Sequence, residues 1–475
     1  LFRRIPRLRR TTAVMVAACA LALSVAIPAT ARDMDPNQPL PGYTADNPQL
    51  PPLTVGGRPT RVLQGIHRHA AYTIEIPPKW NGQLAMFAHG LRGDSTVLTV
   101  DVPPFGLRET FIEQGYAWAA SSYTKNGYDA GDGVTSTRNL ARHAARLLPH
   151  RPSRIYFTGG SMGGHVLARS LEEYPGYYAG ALSLCGQLGD NRVFDFFLDA
   201  NLAAQALSGV DAYPAPADYA SALLPQIQSK LGLTGLQPGQ NPAGEPGRQF
   251  QQIITQLSGG PRPGADASFS LYANAMLTLA PTGPGLAQNV TTRYTPTTPI
   301  DINPIVERVA PASVEERNSM ALNAVPRIVG KPRVPVLSLH NLGDLLVPLS
   351  MEQIYARAVA RHGQSDLLVQ RAIRSAMHCD FTSAEVITAW NDLRAWVEAP
   401  GHRARAGARP AGDDFLNPRN VASPTFGCRF TDPAATRPFY EACPGHPSLT
   451  GTASTPIRSM ARGTWVGWAH GVVAC

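Results

Sequence analysis

The chain has 475 residues, 44% of them apolar and 16% charged, a balance that fits a globular protein with a large core and excludes an intrinsically disordered one. Its formal charge of +8 is concentrated at the start: taking Arg3, Arg4, Arg7, Arg9 and Arg10 from it leaves +3. No Lys/Arg cluster interleaved with aromatics remains, so no nucleic-acid partner is expected.

Residues 1–31 read as a secretory signal, with a basic start, the apolar stretch AVMVAACALALSVAIP and a small-residue cleavage site at Ala29–Ala31. The alternative is an N-terminal membrane anchor. Cys19 closes VAAC, which is similar to a bacterial lipobox, but apolar sequence continues past it, which ranks lipid attachment below simple cleavage. No other apolar run is long enough to cross a bilayer, so no stable membrane span is expected in the mature chain. A secreted or periplasmic location follows.

Residues 32–70, rich in Pro and Asn towards their start, read as an extended leader. From 71 onward AYTIEIP, GQLAMFAHG and GYAWAASSY have strand character, and TRNLARHAARLL (137–148) has helical spacing. RIYFTGG follows as a strand, MGGHVLARSLEEYP as a helix and YAGALSLCG as a strand. Nearly continuous apolar strands alternating with helices indicate a parallel sheet covered on both faces. The alternation stops after 186 and resumes near 329. Between them, 187–328 read as a mainly helical insertion with Pro/Thr-rich loops. VPVLSLHNLGD and DLLVQRAIRSAMHCDF restore the strand rhythm, SAEVITAWNDLRAWVEA adds an amphipathic helix, and 400–475 form a loop-rich tail.

The stretch Gly159-Gly160-Ser161-Met162-Gly163 matches GxSxG between a buried strand and a helix start, the context of a nucleophile elbow. Gly159 and Gly163 permit backbone approaches that a Cβ would block, and Ser161 becomes the candidate nucleophile. A serine hydroxyl needs a base, and His378, after the last strand, is the candidate. His165 lies four residues past the serine on the same helix and reads as packing. His67 and His69 form an HxH pair without a third ligand. The acid that orients the base is assigned to Asp344, at the end of an apolar strand, with Asp190 as competitor; Asp380 is too near His378 in sequence. Two backbone N–H groups are needed for the oxyanion. Met162 supplies one, and Leu91, after His89-Gly90, the other.

Five cysteines remain beyond the signal: Cys185, Cys379, Cys428, Cys443 and Cys475. None has CxxC spacing, so no metal is expected. In an exported chain they favour disulfides. The 15-residue spacing of Cys428 and Cys443 predicts one bridge in the tail. Cys185 ends a strand and Cys379 follows the histidine, so a second bridge or two buried free thiols are both open, with Cys475 left over.

In these motifs and their order the chain resembles the α/β-hydrolase superfamily over 71–186 and 330–398. The resemblance implies an eight-stranded, mostly parallel sheet flanked by helices, with a mainly helical cap inserted after the sixth strand; the core then spans 71–186 and 329–399 and the cap 187–328. GGSMGGH looks like the secreted esterase and prolyl-oligopeptidase-like branches. His378-Cys379 is similar to the tannase and feruloyl esterase group, whose paired cysteine stands beside the serine; here that place is Gly160, which leaves Cys185 as a partner for Cys379. The implied activity is hydrolysis of small or polymeric carboxylic esters through an acyl-enzyme, with no cofactor. The alternatives are a serine exopeptidase, which needs a charged cap group such as Glu315-Glu316, and a non-catalytic binding protein.

Overall fold

The computed structural model describes residues 34–236, 240–279, 285–399, 409–437, 439 and 442–444. The signal and its Cys19, and Cys475, lie outside these residues. The central sheet has eight strands: β1 (Arg61–His67), β2 (Ala70–Ile76), β3 (Gln83–Ala88), β4 (Ala117–Ser121), β5 (Arg154–Gly160), β6 (Gly180–Leu184), β7 (Val336–Asn341) and β8 (Leu368–Ile373). Their spatial order is β1-β2-β4-β3-β5-β6-β7-β8. Strand β2 runs antiparallel to both of its neighbours, and every pairing from β4 to β8 is parallel.

The parallel strands are buried on both faces, as their continuous apolar character requires. Along β5, Ile155 and Phe157 pack into one layer and Tyr156 into the other, because successive side chains alternate across the sheet. The first layer is filled by α2 (Ala130–Leu147), α3 (Met162–Glu173) and α9 (Leu349–Arg361). The second is filled by α1 (Leu107–Glu113) and α10 (Ser383–Glu398), whose Trp390 and Trp396 are fully buried. A capping box of Thr382 and Glu385 starts α10.

The insertion between β6 and β7 builds a core that continues onto Leu345, Val347 and Met351 after β7. It carries α4 (Arg192–Ser208), α5 (Leu224–Lys230), α6 (Glu245–Leu257) and α7 (Ala265–Leu279), packed through Phe196, Ile227, Phe250, Ile253 and Met276. Its second half, from 285 onward, is mostly loop with one short helix, α8 (Val314–Arg317), so the helical character belongs to the first half.

Within the leader, Arg61–His67 is the antiparallel edge strand β1, and Thr44–Ala45 pairs with Val97–Leu98. An edge strand is half-exposed, so its apolar pattern is weak. In the tail, Asp413 bonds Gln370 O and Ala372 N along β8, α11 (Pro418–Val421) adds a turn, and Phe415 and Phe426 are buried against Leu342 and Leu349. The tail covers the sheet edge that β8 would otherwise expose.

Candidate active site

The geometry begins at the turn between β5 and α3. Ser161 has φ 54° and ψ −121°, a region that costs a non-glycine residue roughly 1–3 kcal/mol and persists only where neighbours hold it. They do: Ser161 N–H donates to Leu184 O at 3.0 Å, and Ser161 O accepts from Gly164 N at 2.9 Å and Gln187 N at 2.9 Å. A Cβ on Gly159 would stand 2.3 Å from Gly163 O, and one on Gly163 would stand 2.1 Å from Ala88 O. Both positions therefore require glycine, for close approach rather than for unusual φ.

The serine hydroxyl meets the histidine loop that follows β8. Ser161 Oγ is 2.9 Å from His378 Nε2, and His378 Nδ1 is 2.5 Å from Asp344 Oδ2. The Asp344 side chain is fully buried, and its Oδ1 accepts from the backbone N–H groups of Leu346 and Val347, each at 3.0 Å. Its carboxylate is thus saturated by donors, which fixes the Nδ1–H tautomer of His378 and leaves Nε2 to accept from the serine.

Beside the serine, Gly90 lies so close that a Cβ there would stand 3.1 Å from Ser161 Cβ. The buried ring of His89 stacks on Tyr123 and donates from Nδ1 to Gly90 O at 2.7 Å. Burial, followed by the charge of Arg92, lowers this histidine to about 4, so it is neutral near pH 7. The bond fixes the Gly90–Leu91 peptide plane. In a trans peptide the N–H points opposite the C=O, so the Leu91 N–H is directed away from the His89 ring. Met162 begins α3, where the first backbone N–H groups have no intrahelical acceptor.

The Cys185–Cys379 disulfide joins the end of β6 to the residue after His378, across 194 positions. The other bridge joins Cys428 and Cys443. Among the described residues, the His/Cys/Asp/Glu group close enough to share a metal ion is Cys185, His378 and Cys379, and its sulfurs are joined to each other.

The remaining sequence candidates lie elsewhere. Asp190 is buried, accepts from Ile328 N at 3.0 Å and pairs with Arg192 at 3.2 Å, so it ties the cap's entry to its exit. His165 is fully buried between Tyr128 Oη (2.9 Å) and Pro326 O (2.6 Å). His67 stacks on His143, and His69 bonds Gln38 O. Asp380 accepts from Ser375 and pairs with Arg437. Glu315 and Glu316 are exposed on α8. Sequence reasoning missed Tyr272 on α7, whose hydroxyl accepts from His378 N–H at 2.7 Å, and Arg262, which bonds Leu342 O beside Asp344. Both come from the cap, far from any motif.

No family model matches this chain. It is 24% identical over 440 residues to an o-phthalyl amidase of Xanthobacter agilis, covering 76% of this chain and 94% of that one. Among solved structures, an esterase from Aspergillus oryzae is similar over 66% of this chain and 71% of its own, with 14% identity and a TM-score of 0.40. A proline iminopeptidase from Mycobacterium smegmatis is similar over 71% and 96%, with 10% identity and a TM-score of 0.32. Superpositions this loose carry no argument about activity. The strand order, the single antiparallel β2 inside a parallel sheet, the strand–GxSxG–helix turn after β5 and the cap after β6 give this chain the α/β-hydrolase fold.

Proposed function

We propose that this chain is an exported serine hydrolase that cleaves carboxylic esters through an acyl-enzyme intermediate. The observation that carries the reading is the hydrogen-bonded chain Ser161–His378–Asp344 at a strained elbow. His378 Nε2 takes the serine proton as Oγ attacks the carbonyl carbon, and Asp344 stabilises the resulting imidazolium. Met162 and Leu91 N–H groups receive the oxyanion. His378 then protonates the leaving alkoxide. Water then gives a proton to the same nitrogen as its oxygen adds to the acyl carbon, and when the bond to Oγ breaks His378 returns that proton to Ser161, releasing the acid. Two disulfides support a location in an oxidising compartment, secreted or periplasmic.

A second reading, amide hydrolysis, is favoured by the similarity to a protein named an amidase over nearly its whole length. The chemistry is shared except that the leaving nitrogen must be protonated before the C–N bond breaks, whereas an alkoxide can also depart as the anion. A peptidase reading has less support, since its candidate acidic pair, Glu315-Glu316, sits exposed on α8. A panel of p-nitrophenyl esters, aromatic amides and aminoacyl anilides separates these. Ester turnover well above amide turnover supports the first reading; comparable or faster amide turnover overturns it.

A further inference from the structure

The acid turn is squeezed between the cap and the histidine loop. Leu342 N–H and Gly343 N–H donate to Ile373 O and Ser375 O, each at 2.9 Å, and a Cβ on Gly343 would stand 2.7 Å from both Ala376 Cα and Gly264 O. Gly264 belongs to the cap loop between α6 and α7. The same loop carries Arg262, a buried guanidinium that donates to Leu342 O, to Gly260 O at 2.8 Å and, at 3.4 Å, to Ser258 Oγ. Its acceptors are neutral: among the described residues no carboxylate stands within ion-pair distance of it. Burial lowers the arginine to about 10, and the charge of Asp344 opposes that shift, so it stays a cation near neutrality.

A buried cation with neutral ligands acts through its field, and that field is weakly screened. We propose that Arg262 is a positioning residue supplied by the cap, which orients the acid turn and sets the proton affinity of the Asp344–His378 pair. This rests on the reading of Ser161, Asp344 and His378 given above. The argument is independent of which member of the pair holds the proton: a fixed positive charge beside it opposes protonation of either. Among the described residues, the titratable groups near the pair include Tyr272 at His378 N–H, His340 and Glu352 behind Val347, and Asp380, which is paired with Arg437. Arg262 is the cation among them that approaches from the cap. The cap thereby contributes to the reaction centre itself.

The test is the pH profile of kcat/KM for a neutral ester with Arg262→Met and Arg262→Lys. The acidic limb is expected to move upward by about one pH unit in Arg262→Met, the tenfold gain in proton affinity that loss of a nearby charge at intermediate dielectric produces. Arg262→Lys should restore most of it. If Arg262→Met does not fold, Arg262→Gln retains amide donors for Leu342 O without the charge and is expected to give the same upward shift. An unmoved limb in the neutral variants, or an equal shift in Arg262→Lys, overturns the proposal. Ser161→Ala run in parallel keeps the two readings apart: turnover surviving in it removes the triad reading, whereas turnover abolished in it with an unmoved limb removes the Arg262 inference alone.

Discussion

His378 Nδ1 stands 2.5 Å from the fully buried carboxylate of Asp344, although the two residues belong to loops after different strands and are 34 positions apart. The register of β7 against β8, Val336 beside Leu368 through Asn341 beside Ile373, delivers both loops to the same sheet end. In Asp344→Asn the amide cannot hold the Nδ1–H tautomer, and turnover is expected to fall on the order of 10⁴-fold. Asp190→Asn keeps an acceptor for Ile328 N–H and is expected to lose less than tenfold. Steady-state rates on one ester decide the ranking, and the reverse order would move the acid to the end of β6.

Ser161→Ala is expected to abolish both turnover and labelling by a fluorophosphonate probe. It should leave the melting temperature unchanged or slightly raised, since removing a hydroxyl at a strained turn removes no packing. Intact-mass measurement after labelling checks this; a labelled alanine variant would show that the reactive serine is another one.

Gly90→Ala tests the oxyanion side. Its Cβ would stand 3.1 Å from Ser161 Cβ and 3.6 Å from Oγ, tight enough to displace the loop by a few tenths of an ångström. Because the donor must meet the oxyanion only in the transition state, kcat is expected to fall about 10²-fold with KM little changed. A rise in KM with kcat preserved would mean that this loop binds substrate and does not stabilise the oxyanion.

The Cys185–Cys379 bridge closes a span of 194 residues and is worth about 5 kcal/mol in the chain-entropy picture, against about 3 for the 15-residue Cys428–Cys443 loop. It also anchors the residue after His378. The Cys185→Ser/Cys379→Ser pair is expected to lose both stability and kcat, and Cys428→Ser/Cys443→Ser to lose stability alone. Denaturant titration with parallel kinetics tells them apart; full activity without the first bridge would leave it a purely structural clasp.

The cap carries its own pH dependence. Burial raises Asp199 to about 7, against the hydrogen bonds from Tyr294 (2.7 Å) and Thr292 (3.2 Å) that favour its charge. A carboxyl raised in the fold binds more protons folded than unfolded between about pH 4 and 7, so it makes stability fall as pH rises through that window. The slope approaches about 1.4 kcal/mol per pH unit at most. Asp199→Asn should flatten it. Unfolding midpoints at pH 5 and 7 measure the difference, and an unchanged slope would exclude Asp199 as its source.

The parallel β-strands were readable because strands buried on both faces are continuous apolar runs, as in RIYFTGG and PVLSL. Helices α1 and α9 were not, because each is short or follows a loop without a capping signal; α9 starts after Pro348 with no side-chain cap. The edge strand β1 was hidden by its half-exposure. The elbow was legible at single-residue level, since a Cβ at Gly159 or Gly163 collides with backbone and the sequence must answer with glycine.

The sequence by itself determined the sheet class, the insertion after the sixth strand and Ser161, Asp344 and His378 as candidates, because each rests on local pattern or on residue order along the chain. Tertiary structure decided which acid faces the histidine. Asp190 and Asp344 both follow apolar strands, and only the strand order turns the Asp344 loop toward His378 while Asp190 closes on Ile328 and Arg192. It also decided that Cys379 meets Cys185, that Tyr272 reaches the His378 backbone and that Arg262 lies beneath the acid turn. Those contacts join residues 80 to 194 positions apart, and no local preference encodes them. The two cap contacts exist because burying the cap's apolar residues against Leu345, Val347 and Met351 fixes where its polar side chains must find partners.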